Sequence, residues 1–166
     1  MVEIEYSLFA LDIEIEQIKL LQACRELGVA VIAYSPLGRG ILTGRLLLWV
    51  ILRRVIGRRF LPRFRVENFP KNLALVKDLT VIAKKKGCLP GQLTLAWLMA
   101  PGLDIFPLPG TTRVKNVEEN LGALEVSLTA EEVAGIRKLV EAAEVHGERY
   151  PDRFNAETFR DTPPLN

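Results

Sequence analysis

The chain opens on a two-residue rhythm. Val2, Ile4, Tyr6 and Leu8 alternate with Glu3, Glu5 and Ser7, which predicts a strand with one apolar and one polar face. From residue 14 the rhythm lengthens: Ile15, Ile18, Leu21, Cys24 and Leu27 recur at helical spacing, and Gly28 stands where a left-handed residue ends a helix. A helix is therefore expected over 14–27. Val29 to Ser35, VAVIAYS, is a continuous apolar and β-branched run of the kind buried on both faces of a parallel sheet, and Pro36, Gly38 and Gly40 close it with a turn. Further helices are expected over 71–87, ended by Gly87, and over 90–100, opened by Pro90. LDIFPL, residues 103–108, reads as a third strand although Pro107 withholds one ladder N–H. A short helix follows over 113–122. Thr129 and Glu132 then form a capping box for a longer helix to about His146, whose face of Val133, Ile136, Leu139, Val140 and Ala143 must pack against something. The tail from Tyr150 is expected to be extended or loosely ordered.

Strands alternating with helices imply parallel pairing through crossovers, hence an α/β fold. Three strands are too few for a closed barrel, so the pattern describes part of a larger architecture. At 166 residues the chain can bury one substantial core, and one domain is the default. The net charge of +2 gives no case for nucleic acid, but it hides an uneven distribution. Arg45 to Arg65 holds seven arginines and no acid, which leaves the remainder of the chain net acidic. Cys24 and Cys88 lie in apolar helical patterns without the paired short spacing of thiolate metal or redox sites, and are expected to be packing residues. With no signal peptide and no apolar run of about 20 residues, a cytoplasmic protein that does not span membranes is expected.

The chemistry concentrates at two strand ends. AYSPLGRG, Ala33 to Gly40, follows the second strand, and PLPGTTRVKNVEENLGAL, Pro107 to Leu124, includes the end of the third. Gly110, Thr111 and Thr112 sit where a helix begins, so backbone N–H groups and the helix dipole there favour an anion. Arg113 adds a permanent cation with several donors, suited to a phosphate monoester, and Asn116, Val117 and Asn120 share its helix face.

These two segments, in this order and about seventy residues apart, resemble the cofactor loops of the aldo-keto reductases, which are eight-stranded βα barrels. The opening VEIEYSLF resembles that family's sixth strand and GQLTLAWL the helix before its eighth. The similarity extends over nearly the whole chain outside residues 45–60. The resemblance implies a partial (β/α)8 barrel of about three parallel strands, residues 1–149, followed by a tail, 150–166. It implies NADP(H) as cofactor. Arg113, Asn116, Glu119 and Asn120 would contact its adenosine end. Tyr34 would stack on the nicotinamide ring, and Ser35, Pro36, Leu37, Gly38 and Gly40, with Pro109, Gly110, Thr111 and Thr112, would surround the pyrophosphate. Glu3 stands where many members have a glutamine that grips the nicotinamide carboxamide; an ionised glutamate can accept from the amide nitrogen but cannot donate to its oxygen.

The family reduces carbonyls with a tyrosine proton donor tuned by a lysine, an aspartate and a histidine, all on its amino-terminal strands. None of those strands is in this sequence. Tyr6, Lys84, Asp104 and His146 match only in residue type, so no catalytic residue is assigned and the chain alone is expected to be inactive. Met1 directly before the first strand suggests initiation within a longer reading frame. LLLWVILRRVIGRR, residues 46–59, departs from the polar loop expected there and suggests a local frame shift or retained noncoding sequence. Read at face value, its apolar run is too short to span a bilayer and could at most lie in an anionic membrane surface. The alternative to a truncated reductase is a redox-inactive module that binds NADP(H) weakly or self-associates through open sheet edges.

Overall fold

A computed structural model of the chain describes residues 1–46 and 60–155. Three short strands, β1 (Val2–Glu5), β2 (Val31–Tyr34) and β3 (Ile105–Leu108), form one parallel sheet in the order β1-β2-β3. The connection from β1 to β2 carries α1 (Leu20–Glu26). That from β2 to β3 carries α2 (Phe69–Lys86) and α3 (Pro90–Met99), and α4 (Val114–Leu121), α5 (Ala130–Ala142) and a single turn, α6 (Asp152–Asn155), follow β3. The expected α/β alternation is therefore present, with Pro107 tolerated because β3 is an edge strand.

Register fixes what each face presents. Glu3, Ile32 and Phe106 form one row, and Glu5, Tyr34 and Leu108 the next; because strand side chains alternate, both rows lie on the same face. Val31, Ala33 and Ile105 turn to the opposite face and are buried under the helices. Their partners include Leu21 and Cys24 of α1, Val76 and Leu79 of α2, Trp97 of α3 and Ile136 and Val140 of α5. Trp97 knits two of these helices, since its indole N–H donates to the Val133 carbonyl at 3.1 Å and Arg137 lies 5.0 Å from the ring centroid. The other face is open along β3, where Phe106 is 51% and Leu108 52% exposed, while Glu5 at the end of β1 is buried.

Several sequence expectations shift. The strand expected over 2–8 stops at Glu5, and Ser7 pairs instead with Ala10 in a tight bridge. The helix expected over 14–27 is shortened to α1, with Lys19 left-handed before it and Asp12–Glu14 in a separate 3-10 turn. Glu14 explains the break, because it accepts from the Tyr6 hydroxyl and pairs with Arg137, and those ties hold it off the α1 axis. The last long helix ends at Ala142 instead of near His146. There the chain is drawn to α2, where buried Asn72 accepts from the His146 N–H at 2.8 Å and donates to its carbonyl at 2.9 Å. The capping box at Thr129 and Glu132 forms as expected, and Gly87 ends α2 at φ 76°. Cys24 is buried and Cys88 packs partly buried against the core. The tail continues past Tyr150 into α6; the atypical segment beyond Leu46 and the residues after 155 lie outside the described residues.

Candidate functional site

At the end of β2 the backbone turns sharply. Ser35 and Arg39 adopt left-handed conformations, at φ 52° and 57°, that non-glycine residues rarely hold, and Gly38 and Gly40 join them at 55° and 97°. Such strain costs on the order of 1–3 kcal/mol per non-glycine residue and concentrates where a loop must present its backbone to something. Gly38 N donates to Ser35 O, Gly40 N to Leu37 O, and Thr43 Oγ1 to Gly40 O at 2.7 Å, which locks the turn. At the end of β3, Thr111 Oγ1 accepts from the Arg113 N–H and from Asn116 Nδ2, fixing the entrance to α4. Because β2 and β3 are parallel neighbours, both loops leave the same edge of the sheet.

They meet across one open cleft of about 840 Å³. One wall is Ser35, Pro36, Leu37 and Gly40, and the other is Pro109, Gly110, Thr111, Thr112, Arg113, Asn116, Glu119 and Asn120. The structure thus brings together twelve of the fifteen residues singled out from sequence. Three stand apart. Glu3 is exposed on the open sheet face, Tyr34 lies at the end of the same face, and Gly38 is turned toward the core, where an added Cβ would come within 3.0 Å of Ile41 and 3.1 Å of Phe9. Gly38 therefore serves close packing. Gly110, by contrast, has nothing within 4 Å of an added Cβ, so its backbone is open to the cleft.

Among the lining residues that the sequence does not single out, three add to the site's character. Arg39 and Arg45 join Arg113 as cations around the cleft, against the one carboxylate, Glu119, among the described lining residues. Arg45 reaches across to α4, donating to Asn116 Oδ1 at 3.0 Å and pairing with Glu119. Gln92 of α3 donates to the Glu119 carbonyl at 3.0 Å and holds α4 in place. Arg39 stands in GRG, where the flanking glycines carry the loop signal; nothing local marks Arg45, at the start of the atypical segment, because its contacts lie 71 and 74 residues away.

Three guanidinium groups against one carboxylate leave the described lining of the cleft net positive, and it offers little acid–base chemistry. No tyrosine, histidine, lysine or aspartate is among the described residues that line it. Tyr6, Lys84, Asp104 and His146, which match the family's catalytic residues only in type, lie outside the cleft. Tyr6 is buried, and desolvation, followed by its hydrogen bond to Glu14, pushes its phenol well above the usual tyrosine range, so it holds its proton. Lys84 is exposed on α2. Asp104 pairs with Arg25 at 2.7 Å, which holds its carboxyl below the usual range, and the His146 imidazole lies 3.8 Å from Glu144. No group of three histidine, cysteine, aspartate or glutamate side chains among the described residues is placed to hold a metal ion. No described helix is long and apolar enough to cross a membrane.

Residues 1–141 match the sequence pattern of the aldo/keto reductase family. The chain belongs to that family. It is 48% identical over 164 residues to the aldo-keto reductase yakc [NADP(+)] of Schizosaccharomyces pombe; the match covers 99% of this chain and 48% of that protein. It is 49% identical over 147 residues to the aldo-keto reductase str7 of Strobilurus tenacellus, covering 89% of this chain and 44% of that one. The chain spans about half the length of these curated relatives. Among solved structures, the glycerol dehydrogenase of Gluconobacter oxydans shares the fold with a TM-score of 0.74 at 24% identity, over 88% of this chain and 44% of that chain. For an aldo-keto reductase barrel, then, the three parallel strands and their helices make up part of the whole.

Proposed function

We propose that this chain is the carboxyl-terminal half of an NADP(H)-dependent aldo-keto reductase barrel, holding the phosphate-binding part of the cofactor site and inactive by itself in carbonyl reduction. The observation that carries the reading is the meeting of the β2 and β3 loops across one cleft lined by Arg39, Arg45 and Arg113. Three guanidinium groups suit a pyrophosphate and a separate phosphate monoester, since charge-assisted hydrogen bonds to phosphate are strong and often bidentate. Ser35, Leu37, Gly40 and Gly110 leave backbone accessible to the pyrophosphate, and Arg113, Asn116, Glu119 and Asn120 would hold the adenosine end. When bound, the cofactor supplies a hydride; this chain's residues orient it. We assign the family's proton-donating residues to strands outside this sequence, and the described residues that line the cleft include no tyrosine, histidine, lysine or aspartate. Residues 1–149 would form the half barrel and 150–166 its tail, in a cytoplasmic protein.

The test is direct: purified chain incubated with NADPH and a panel of aromatic and pyridine aldehydes is expected to show no sustained loss of NADPH absorbance. Sustained NADPH oxidation that a cleft variant such as Arg113→Ala abolishes would overturn the assignment of inactivity.

A second reading, pairing with another half barrel, draws on the open sheet face. Phe106 and Leu108 are half exposed, and among the described residues β1 and β3 each pair with β2 alone. Sedimentation over a range of concentrations would show the association; a folded monomer throughout would remove that reading.

A further inference from the structure

After α5 the chain does not leave the protein. Asn72 grips the His146 backbone from both sides, Arg63 Nε donates to the Gly147 carbonyl at 3.4 Å, and Gly147 crosses at φ 85°. A Cβ at Gly147 would come within 2.8 Å of the Pro62 carbonyl oxygen, so only glycine passes here without displacing backbone. Two residues later Arg149 enters the open face of the sheet. Its guanidinium pairs with Glu5, and both side chains are nearly out of solvent, at 10% and 3% exposure. The same guanidinium lies 5.0 Å from the centroid of the Tyr34 ring and 4.9 Å from that of Tyr150, and Arg39 covers Tyr150 in turn at 4.9 Å. Tyr34, Arg149, Tyr150 and Arg39 thus alternate aromatic ring and cation, two members from β2 and its loop and two from the segment after α5, which leads into the tail and is counted with it.

We propose that the tail stoppers the ring end of the cofactor cleft: Arg149 occupies the face of Tyr34 on which a nicotinamide would stack, while the adenosine end stays open. The inference rests on the cofactor reading of the cleft and adds to it a self-made competitor. Register supports it, because Glu5 and Tyr34 share one row of the open face and Arg149 touches both. The extent of the cleft agrees: Ser35 and Leu108 line it, but Tyr34, which lies beside both, does not. The stopper is also releasable. Arg149 Nη2 is buried without a hydrogen-bond acceptor among the described residues, so the guanidinium gains donors' partners when it swings into water. A ligand that needs the ring position binds more weakly by the fraction of molecules in which the tail has moved aside.

The experiment compares NADP+ with 2′-phosphoadenosine diphosphoribose, which lacks the nicotinamide, by calorimetric titration of the full chain. Wild type is expected to bind the two within about twofold, and Arg149→Ala to raise NADP+ affinity about tenfold, as for an open state one-tenth populated, leaving the ring-less ligand unchanged. Because Arg149→Ala leaves Glu5 without its partner, the double variant E5Q/R149A repeats the measurement with no buried carboxylate left unpaired. If wild type already binds NADP+ tenfold more tightly than the ring-less ligand, or if both ligands gain equally in the variants, the stopper is refuted while the cofactor site stands. If neither ligand binds wild type or variant, the cofactor reading falls and the stopper with it.

Discussion

The two faces of the sheet obey different rules. Val31, Ala33 and Ile105 face helices on one side and are almost completely buried, while Ile32, Tyr34, Phe106 and Leu108 on the other are left partly or half exposed. Cohesion therefore comes from one side, where apolar area removed from water stabilises the fold in proportion to that area. The open side carries charge, strain and the candidate chemistry: Glu3, Glu5 with Arg149, and the left-handed turn at Ser35 and Arg39. In a complete barrel that face would be interior. Substitutions on the two faces should accordingly fail in different ways, the first in folding and the second in binding.

The sharpest break of the contrast is Trp97→Ala on the covered side. Removing a buried indole costs about 3–5 kcal/mol, comparable with the whole stability of a small domain, so thermal denaturation followed by circular dichroism should show no cooperative transition. Asn72→Ala comes next. It removes the side chain that binds Arg63 O, His146 O and His146 N, and should cost about 2 kcal/mol in urea denaturation while freeing the tail to proteolysis. On the cleft side, Arg113→Ala should leave the melting temperature within a degree or two yet weaken NADP+ binding about tenfold, or ~1.4 kcal/mol. The smallest effect belongs to Asp104→Asn, which breaks a partly exposed pair with Arg25 at a cost of at most about 1 kcal/mol.

The sign of that last effect with pH follows from the lowered Asp104 carboxyl, caused first by the Arg25 hydrogen bond. A depressed folded value adds stability above the ordinary aspartate range near ~4, and that stability is lost as pH falls through the lowered value. Wild type and Asp104→Asn should therefore differ at neutral pH and converge in acid, as read from denaturation midpoints.

What could be read from the sequence was local. The VAVIAYS run, the Thr129 capping box and the Gly87 terminator each depend on neighbours within a few residues, and each appears in the structure where the pattern put it. The loops Ser35–Gly40 and Gly110–Asn120 were legible as candidate chemistry for the same reason, and parallel pairing of β2 with β3 brought them to one cleft. Contacts between distant segments were not legible. Ile15 and Leu27 share helical spacing with Leu21 and Cys24, yet both fall outside α1 and are 43% and 77% exposed, Ile15 beside a Glu14 that answers to Tyr6 and Arg137 and Leu27 at the helix's C-terminal end. Arg45 read as a member of an odd insertion and Arg149 as the last residue before a loose tail; only the fold sets one against Glu119 and the other against Glu5 and Tyr34.

The most direct test is a two-dimensional amide NMR titration of the isotope-labelled chain with NADP+ and, separately, NAD+. NADP+ should shift the amides of residues 35–40 and 110–120 together along one saturation curve, with NAD+ about tenfold weaker for want of the monoester that Arg113 would meet. Shifts confined to one loop, or equal response to the two dinucleotides, would contradict a shared phosphate cleft.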